Sequence, residues 1–345
     1  MITSLEIAGM RGILEGRIDG MGPLVVFVGP NGCGKSTLLD ALLIGAGNMP
    51  ADGIGRCVKR RAYSWNGARW LFSRQNEDRT ATISVTRSAQ GAEERRTTTL
   101  RWTDVPPDDL RRELSERSAR EPFSAIAAQV DLPGARVETC TAFAADNGYR
   151  RSWTSGPRIA GWETRLIDSP QGTNQSLDEV YSSAVERGRK DEAVAALRAV
   201  LGDDIRDITL LTDNGVPVVH VVQPDGSTPV FAMGEGLVSL VRIALELGAR
   251  PGGLVLLEEP EAHQHPRIAW ETARVAWASV QRGVQILLTT HSLDFIDGLL
   301  AHAPPGRLDD LTLYRLKLTG GELVHDRIQG TDVASMRTEF EDDLR

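Results

Sequence analysis

The segment GPNGCGKST at residues 29–37 carries the strongest chemical pattern in this 345-residue chain. It fits the spacing G-x-x-x-x-G-K-[ST], with the apolar run LVVFV before it and the helical run STLLDALLIGA after it. Such a turn exposes backbone N–H groups at a helix N-terminus, where phosphate oxygens bind. We expect Lys35 to pair with the β- and γ-phosphates of ATP and the Ser36 hydroxyl to bind Mg²⁺. The residues expected around the phosphates are Asn31, Gly32, Cys33, Gly34, Lys35, Ser36 and Thr37.

Two acidic residues, Glu258 and Glu259, end the apolar run LVLLEE at residues 254–259. Carboxylates at a strand end are costly to bury unless a cation or a polar partner receives them. We expect Glu258 to organise Mg²⁺ and Glu259 to orient or deprotonate the attacking water. The alternative is a pair of solvated acids. His263 and His265 lie a few residues further on, but two histidines do not make a metal site.

Two further segments are predicted to face phosphate. His291 ends the apolar run ILLTTHS, and ligands of open α/β sheets bind at that edge, so His291 is expected to contact the γ-phosphate. A purely structural histidine is the alternative. The turn Gly234-Glu235-Gly236 opens a helical run at 235–249 and offers N–H groups to a second phosphate, although such turns are common before helices.

The elements that must position these residues alternate between strands and helices, which predicts an α/β fold with a parallel sheet. Hairpins at 81–103 and 205–222, the second turning at Asn214-Gly215, add an antiparallel part. A glycine-rich run from Gly45 to Gly55 is expected to end the first helix. The remaining expected elements are a helix at 177–202 broken near Gly188, a charged helix at 108–120, a strand at 165–169 and a final strand pair, LTLYRLKL and GELVHDRI.

The composition is that of a globular protein, with 41% apolar and 25% charged residues and a net charge of −8. Residues 56–165 nevertheless contain 20 basic residues against 14 acidic ones, which marks either a face for nucleic acid or a partner, or simply a solvated surface. Three cysteines exclude a disulfide framework and favour a reducing cytoplasm. No apolar run approaches 18 residues, so no membrane span is expected.

Taken in order, the phosphate loop, the glycine turn, EEPEA…HP and TTHS resemble the ABC-type ATPases. More narrowly, MGEGL, EPEAHQHP and the opening IAGMRGI at residues 7–13 are similar to the OLD-like members of the soluble OLD-like and RecF/SMC-like branch. The resemblance implies a single P-loop NTPase head with a mixed β-sheet. Its nucleotide-binding core would comprise residues 1–55 and 231–345, its inserted β-rich arm residues 56–165, and its helical lobe residues 171–204.

The resemblance also implies a head-to-tail homodimer with ATP at the interface. Each ATP would lie between the phosphate loop of one subunit and Gly234, Glu235 and Gly236 of the other. Arg11 is expected near the nucleotide base. A glutamine is expected to touch Mg²⁺; Gln171 fits best, and Gln175 and Gln75 are alternatives.

The C-terminal region departs from the pattern of the OLD-like nucleases. The chain ends at DDLR soon after the last strand pair, which leaves no room for their C-terminal TOPRIM nuclease domain, and it lacks the SMC coiled coil and the transporter signature. We therefore expect an ATPase that controls a separate effector, with a nuclease favoured, or that acts on DNA, in prokaryotic anti-phage defence or DNA maintenance. The alternative is a RecF-like repair factor that clamps DNA, and a less favoured one is a transporter subunit.

Overall fold

The computed structural model describes residues 1–59, 65–89, 91–103, 108, 123–144, 150–157, 159, 163–168, 176–248, 250 and 252–339. The fold is mixed α/β and divides into two compact units. The first contains Met1–Met21, Pro30–Arg165 and Leu316–Asp326. The second contains Gly22–Gly29, Leu166–Arg315 and Arg327–Arg345.

The strands and helices of the two units are numbered here in chain order. The strands are β1 (Ile2–Met10), β2 (Ile13–Asp19), β3 (Leu24–Val28), β4 (Thr80–Ala89), β5 (Ala92–Thr103), β6 (Phe123–Leu132), β7 (Ala135–Ala144), β8 (Arg150–Ser155), β9 (Thr164–Ile167), β10 (Asp207–Asp213), β11 (Val216–Gln223), β12 (Gly226–Pro229), β13 (Gly253–Glu258), β14 (Val284–Thr289), β15 (Leu311–Thr319) and β16 (Glu322–Gln329). The helices are α1 (Lys35–Ala46), α2 (Pro50–Lys59), α3 (Leu177–Glu186), α4 (Lys190–Leu201), α5 (Glu235–Gly248), α6 (Pro266–Gln281), α7 (Leu293–Ala301) and α8 (Gly330–Glu339).

The first unit is built on a mainly antiparallel sheet in the order β8-β7-β6-β5-β4-β1-β2-β16, in which β2 and β16 pair in parallel. Helix α1 packs on β4, where Gly45 permits the close approach. A Cβ on Gly45 would lie 2.6 Å from Ile83 Cγ2. Buried side chains from β1, β4 and α1, such as Leu5, Val85 and Leu42, form the core of this unit. The predicted hairpin at 81–103 is confirmed as β4 and β5.

In the second unit β15, β3, β14 and β13 pair in parallel in this order, and β9 lies next to β13 at the edge of the sheet. All five residues of β3 are buried, as its continuous apolar sequence predicts for a strand covered on both faces. Helices α5, α6 and α7 bury their apolar sides in one core with these strands. The hairpin β10–β11 turns at Asn214 and Gly215, both at positive φ, as Asn-Gly predicts.

Several elements differ from the expectation. The first helix ends inside the run from Gly45 to Gly55 as expected, since α1 ends at Ala46, but helix α2 follows in the same run and was not predicted. Pro50 begins α2, and Gly53 permits its contact with α1, since an added Cβ would lie 2.9 Å from Leu43 O. Strand β2 was missed, although Ile13 and Ile18 alternate with exposed Glu15, Arg17 and Asp19. β12 and α8 were also missed. The charged helix expected at 108–120 lies outside the described residues except for Asp108.

Candidate nucleotide site

The loop between β3 and α1 has the backbone that its glycines predict. Gly29, Gly32 and Gly34 have φ values of 140°, 80° and 103°, a region that side chains strongly disfavour. A Cβ on Gly34 would lie 3.1 Å from Ile13 Cδ1, so this position is also crowded by β2. Asn31 and Gly32 are exposed, whereas Cys33 is buried.

Lys35 is the first residue of α1, and its side chain reaches back across the loop to Pro30. Its side chain is almost fully buried, and Nζ donates a hydrogen bond to Pro30 O at 3.1 Å. Gly34 precedes the helix, and within the described residues no side chain caps it and no acid lies in the first helical turn. The loop therefore presents a cation and backbone donors without a neighbouring carboxylate in that turn, which suits a polyphosphate. Ser36 is partly exposed and Thr37 is buried in the same turn.

Arg11 is fixed against the helix that follows the phosphate loop. It has a positive φ of 52°, and its N–H donates to Leu71 O at 3.0 Å. Its guanidinium forms an ion pair with the carboxylate of Asp40, a fully buried residue of α1. Arg11 therefore lies beside α1 within the first unit.

A cavity of about 520 Å³ opens beside Arg11 within the first unit. Trp70 and Gln75 line it, and Trp70 keeps 46% of its surface exposed. The guanidinium carbons of Arg69 and Arg74 lie 4.9 Å and 4.5 Å from the Trp70 ring centre, within cation–π range. Trp70 was not predicted as a cavity residue, although the sequence shows it as an aromatic residue next to Arg69 and near Arg74.

Gln171, the favoured magnesium-binding glutamine, and Gln175, one of its two alternatives, lie outside the described residues. The other alternative, Gln75, is described and borders the cavity beside Arg11. The choice among the three stays a prediction.

Glu259 lies just beyond β13, which ends at Glu258 and not at Glu259 as the apolar run had indicated. Glu259 has a φ of 45°, a conformation that is costly for a glutamate and that clusters at functional sites. Its N–H donates to Thr289 O at 3.0 Å. Its Oε1 lies 3.6 Å from His291 Nε2, and both side chains remain partly exposed. The structure thus brings these two predicted residues together at the ends of β13 and β14.

Glu261 connects the same two strand ends. Its Oε1 accepts hydrogen bonds from Thr290 Oγ1 at 2.5 Å and from the His291 N–H at 3.3 Å. Burial raises the pKa of this carboxyl, and the two hydrogen bonds offset part of that shift. The sequence contained Glu261 inside EPEAHQHP, but its role became visible only from these contacts.

The glycine turn lies at the start of α5, where Gly234 has a φ of 94° and Glu235 is exposed. A Cβ on Gly236 would lie 3.0 Å from His263 O, so the segment after β13 packs directly beneath this turn. His265 caps α6 by accepting the Arg267 N–H at 3.3 Å, which gives that histidine a structural role. The described residues hold no cluster of three or more His, Cys, Asp or Glu that fits a metal ion.

Comparison with known proteins identifies the family. The family described as "AAA domain, putative AbiEii toxin, Type IV TA system" matches residues 24–138 and 155–297, well over half of the chain. The chain belongs to this AAA family. The uncharacterized protein MJECL11 of Methanocaldococcus jannaschii is 35% identical over 114 residues, which are 33% of this chain and 99% of that protein.

Solved structures agree on the fold of this AAA-family chain. An SMC head bound to the C-winged helix domain of ScpA has a TM-score of 0.53 at 15% identity, covering 95% of this chain and 98% of that one. An SMC head with an extended coiled coil, bound to the C-terminal domain of ScpA derived from Pyrococcus furiosus, has a TM-score of 0.52 at 13% identity and covers 99% of both chains. The fold is that of an ABC-type ATPase head, as the sequence predicted.

The described residues include no helix that is long and apolar enough to cross a membrane.

Proposed function

We propose that this chain binds and hydrolyses ATP with Mg²⁺, dimerises around the nucleotide and controls a separate effector protein. The observation that carries the proposal is the buried Lys35, held across a glycine-rich loop at the start of α1. Membership in an AAA family supports the same substrate. The products are ADP and phosphate.

The residues of the site fit the groups that it would bind. The loop and Lys35 supply donors, which match the oxygens of a triphosphate. From the sequence motifs we assign Ser36, Glu258 and Gln171 to Mg²⁺, because hydroxyl, carboxylate and amide oxygens are the ligands that this ion prefers. When bound, Mg²⁺ neutralises charge on the β- and γ-phosphate oxygens.

The pair formed by Glu259 and His291 would act on the reacting groups. A carboxylate beside an imidazole at 3.6 Å can orient a water and accept its proton, while the ring nitrogen donates to a phosphate oxygen. We assign the first role to Glu259 and the second to His291. The cavity beside Arg11 would receive the nucleotide base, against the wall that Trp70 and Arg74 form.

The role in the cell is inferred from relatives. The description of the family as a putative toxin of a type IV toxin–antitoxin system supports a prokaryotic defence or maintenance system in which this ATPase works with a partner. The SMC heads were solved in complexes with ScpA domains, which supports an ATPase that acts through a bound protein. The OLD-like resemblance favours a nuclease as that effector.

The substitution Lys35→Ala tests nucleotide binding. We expect it to abolish ATP binding in calorimetry, because the buried ammonium would pair with the phosphates. Lys317→Ala is the matched control, since Lys317 is an exposed lysine of β15, and it should bind ATP like the unmodified protein. Unchanged ATP affinity in Lys35→Ala would remove the phosphate-loop assignment.

DNA clamping is the second candidate function, and a specific observation favours it. The guanidinium of Arg79 lies 5.6 Å from the Trp102 ring centre, and Arg101 beside it is exposed, within the region of positive charge excess. Arginines next to aromatic rings are typical of surfaces that bind nucleic acid.

Replacing Arg79 and Arg101 by alanine should weaken DNA binding and reduce the salt slope by about one for each lost phosphate contact. Fluorescence anisotropy at several salt concentrations measures both quantities. Arg206→Ala, an exposed arginine of the second unit, serves as the control. Absence of DNA binding at low salt, together with a stable complex with the product of a neighbouring gene, would favour effector control.

A further inference from the structure

Glu261 lies two residues beyond Glu259, and the proposed mechanism assigns it no role. The Thr290 hydroxyl accepts the Ser292 N–H at 2.9 Å, and it donates its own proton to Glu261 Oε1 at 2.5 Å. The His291 N–H donates to the same oxygen. One carboxylate oxygen therefore holds two successive residues at the end of β14.

The loop that carries Glu261 is closed and tied to β14 at a second point. Ala262 N–H donates to Glu259 O at 2.9 Å, and Glu259 N–H donates to Thr289 O. The strained backbone of Glu259 thus lies between two sets of hydrogen bonds to the chain at the end of β14, its own bond to Thr289 and the bonds that Glu261 accepts. The His291 ring is the group that this arrangement sets opposite the Glu259 carboxylate.

Burying the Glu261 carboxylate costs free energy, so a contact that served stability alone would not favour this residue. Glu261 Oε2 is buried, and among the described residues it has no hydrogen-bond partner. Burying a polar oxygen without a partner costs free energy, which points to a gain elsewhere. The raised pKa of Glu261 agrees with this cost.

We propose that Glu261 is a positioning residue that clamps the end of β14 to the loop after β13, so that His291 and Glu259 face each other. The proposal rests on the proposed function, because this orientation matters for hydrolysis. Glu261 does not itself touch the substrate.

The test compares Glu261→Ala with Glu261→Gln, which keeps an oxygen acceptor in place of Oε1. We expect Glu261→Ala to lower kcat about tenfold or more with KM nearly unchanged, because misplacing catalytic groups slows the reaction without weakening binding. Glu261→Gln should restore most of kcat. Glu271→Ala, which breaks an ion pair with Arg274 within α6, is the control and should leave kcat unchanged.

A second measurement does not depend on activity. Hydrogen exchange of the His291 amide should be faster in Glu261→Ala and near the unmodified rate in Glu261→Gln. If Glu261→Ala fails to fold, Thr290→Val and Thr290→Ser replace it, because only serine keeps the donating hydroxyl. We then expect valine to lower kcat and serine to retain it.

The outcomes separate the clamp from the ATPase. A kcat in Glu261→Ala equal to that of the unmodified protein overturns the clamp, as does an equal loss in Glu261→Ala and Glu261→Gln. If the unmodified protein does not hydrolyse ATP, the proposed function fails. The amide exchange of His291 then decides the clamp alone, faster exchange in Glu261→Ala supporting it and unchanged exchange overturning it.

Discussion

Glu259 combines a strained backbone with a partly exposed carboxylate next to an imidazole. The strain has a local cause. Strand β13 ends at Glu258, and the N–H of the next residue, Glu259, donates a hydrogen bond to Thr289 O. A residue that needed only to end a strand would not require this conformation. The geometry at the residue scale therefore agrees with a role for Glu259 in orienting water.

Glu259→Gln tests that role. We expect ATP to bind normally while hydrolysis falls at least about 100-fold, because an amide cannot accept the proton of the attacking water. Phosphate release under single-turnover conditions measures hydrolysis, and calorimetry measures binding. Turnover equal to that of the unmodified protein would show that Glu259 is not the base.

Helix α1 is the element on which the phosphate loop depends, and two contacts hold it. In the middle of the helix, Asp40 pairs with Arg11. At its C-terminal end, the fully buried Arg96 of β5 donates to Gly47 O at 2.7 Å and to Gly45 O at 3.3 Å. Burial lowers the pKa of Arg96 to about 10, which leaves it charged at neutral pH and able to bind the carbonyls there.

Gly45→Ala tests the contact between α1 and β4. The added Cβ would lie 2.6 Å from Ile83 Cγ2 and 2.9 Å from Val85 Cγ2, and β-branched side chains in a sheet yield little. We expect a loss of about 1–3 kcal/mol in the free energy of unfolding, measured by urea denaturation.

Gly252→Ala is the matched control for this contact. Its Cβ would meet only Gly283 O at 3.8 Å, an ordinary contact. Its effect should stay within about 0.5 kcal/mol. Equal effects of the two substitutions would mean that the α1–β4 packing does not require glycine.

For the whole molecule, charge is distributed unevenly. The net −8 hides a region, residues 56–165, with six more basic than acidic residues. Any contact with nucleic acid should therefore be sought there and not on the acidic remainder.

The proposed dimer makes a prediction at the same scale. Glu235 is exposed in the first turn of α5. Glu235→Arg should therefore prevent this turn from contacting the ATP bound to a partner subunit, while the phosphate loop of its own subunit stays intact. We expect this variant to bind ATP without hydrolysing it, and to remain monomeric in light scattering.

Mixing Glu235→Arg with Lys35→Ala should restore ATPase activity, because one composite site of the mixed dimer then has both an intact loop and an intact turn. Each variant measured alone is the control. A mixture as inactive as its components would contradict a site shared between subunits.

The sequence by itself determined the parts whose local pattern is strong. The buried strand β3, the glycine loop and the Asn-Gly hairpin follow from short-range rules, because each depends on backbone sterics or on continuous burial. The ABC-type head fold followed from the order of the motifs. Helix α2 escaped prediction because Gly53 lies inside it, where the missing side chain permits close packing against α1.

Only the tertiary structure decided which side chains meet. Thr290 and Glu261 are separated by 29 residues, and Arg11 and Asp40 by a similar length of chain, so no periodicity pairs them. These contacts form because parallel strands bring their carboxyl ends to one edge and because buried charges need partners. Motif spacing therefore predicted the chemistry, whereas long-range packing determined how the predicted residues are held.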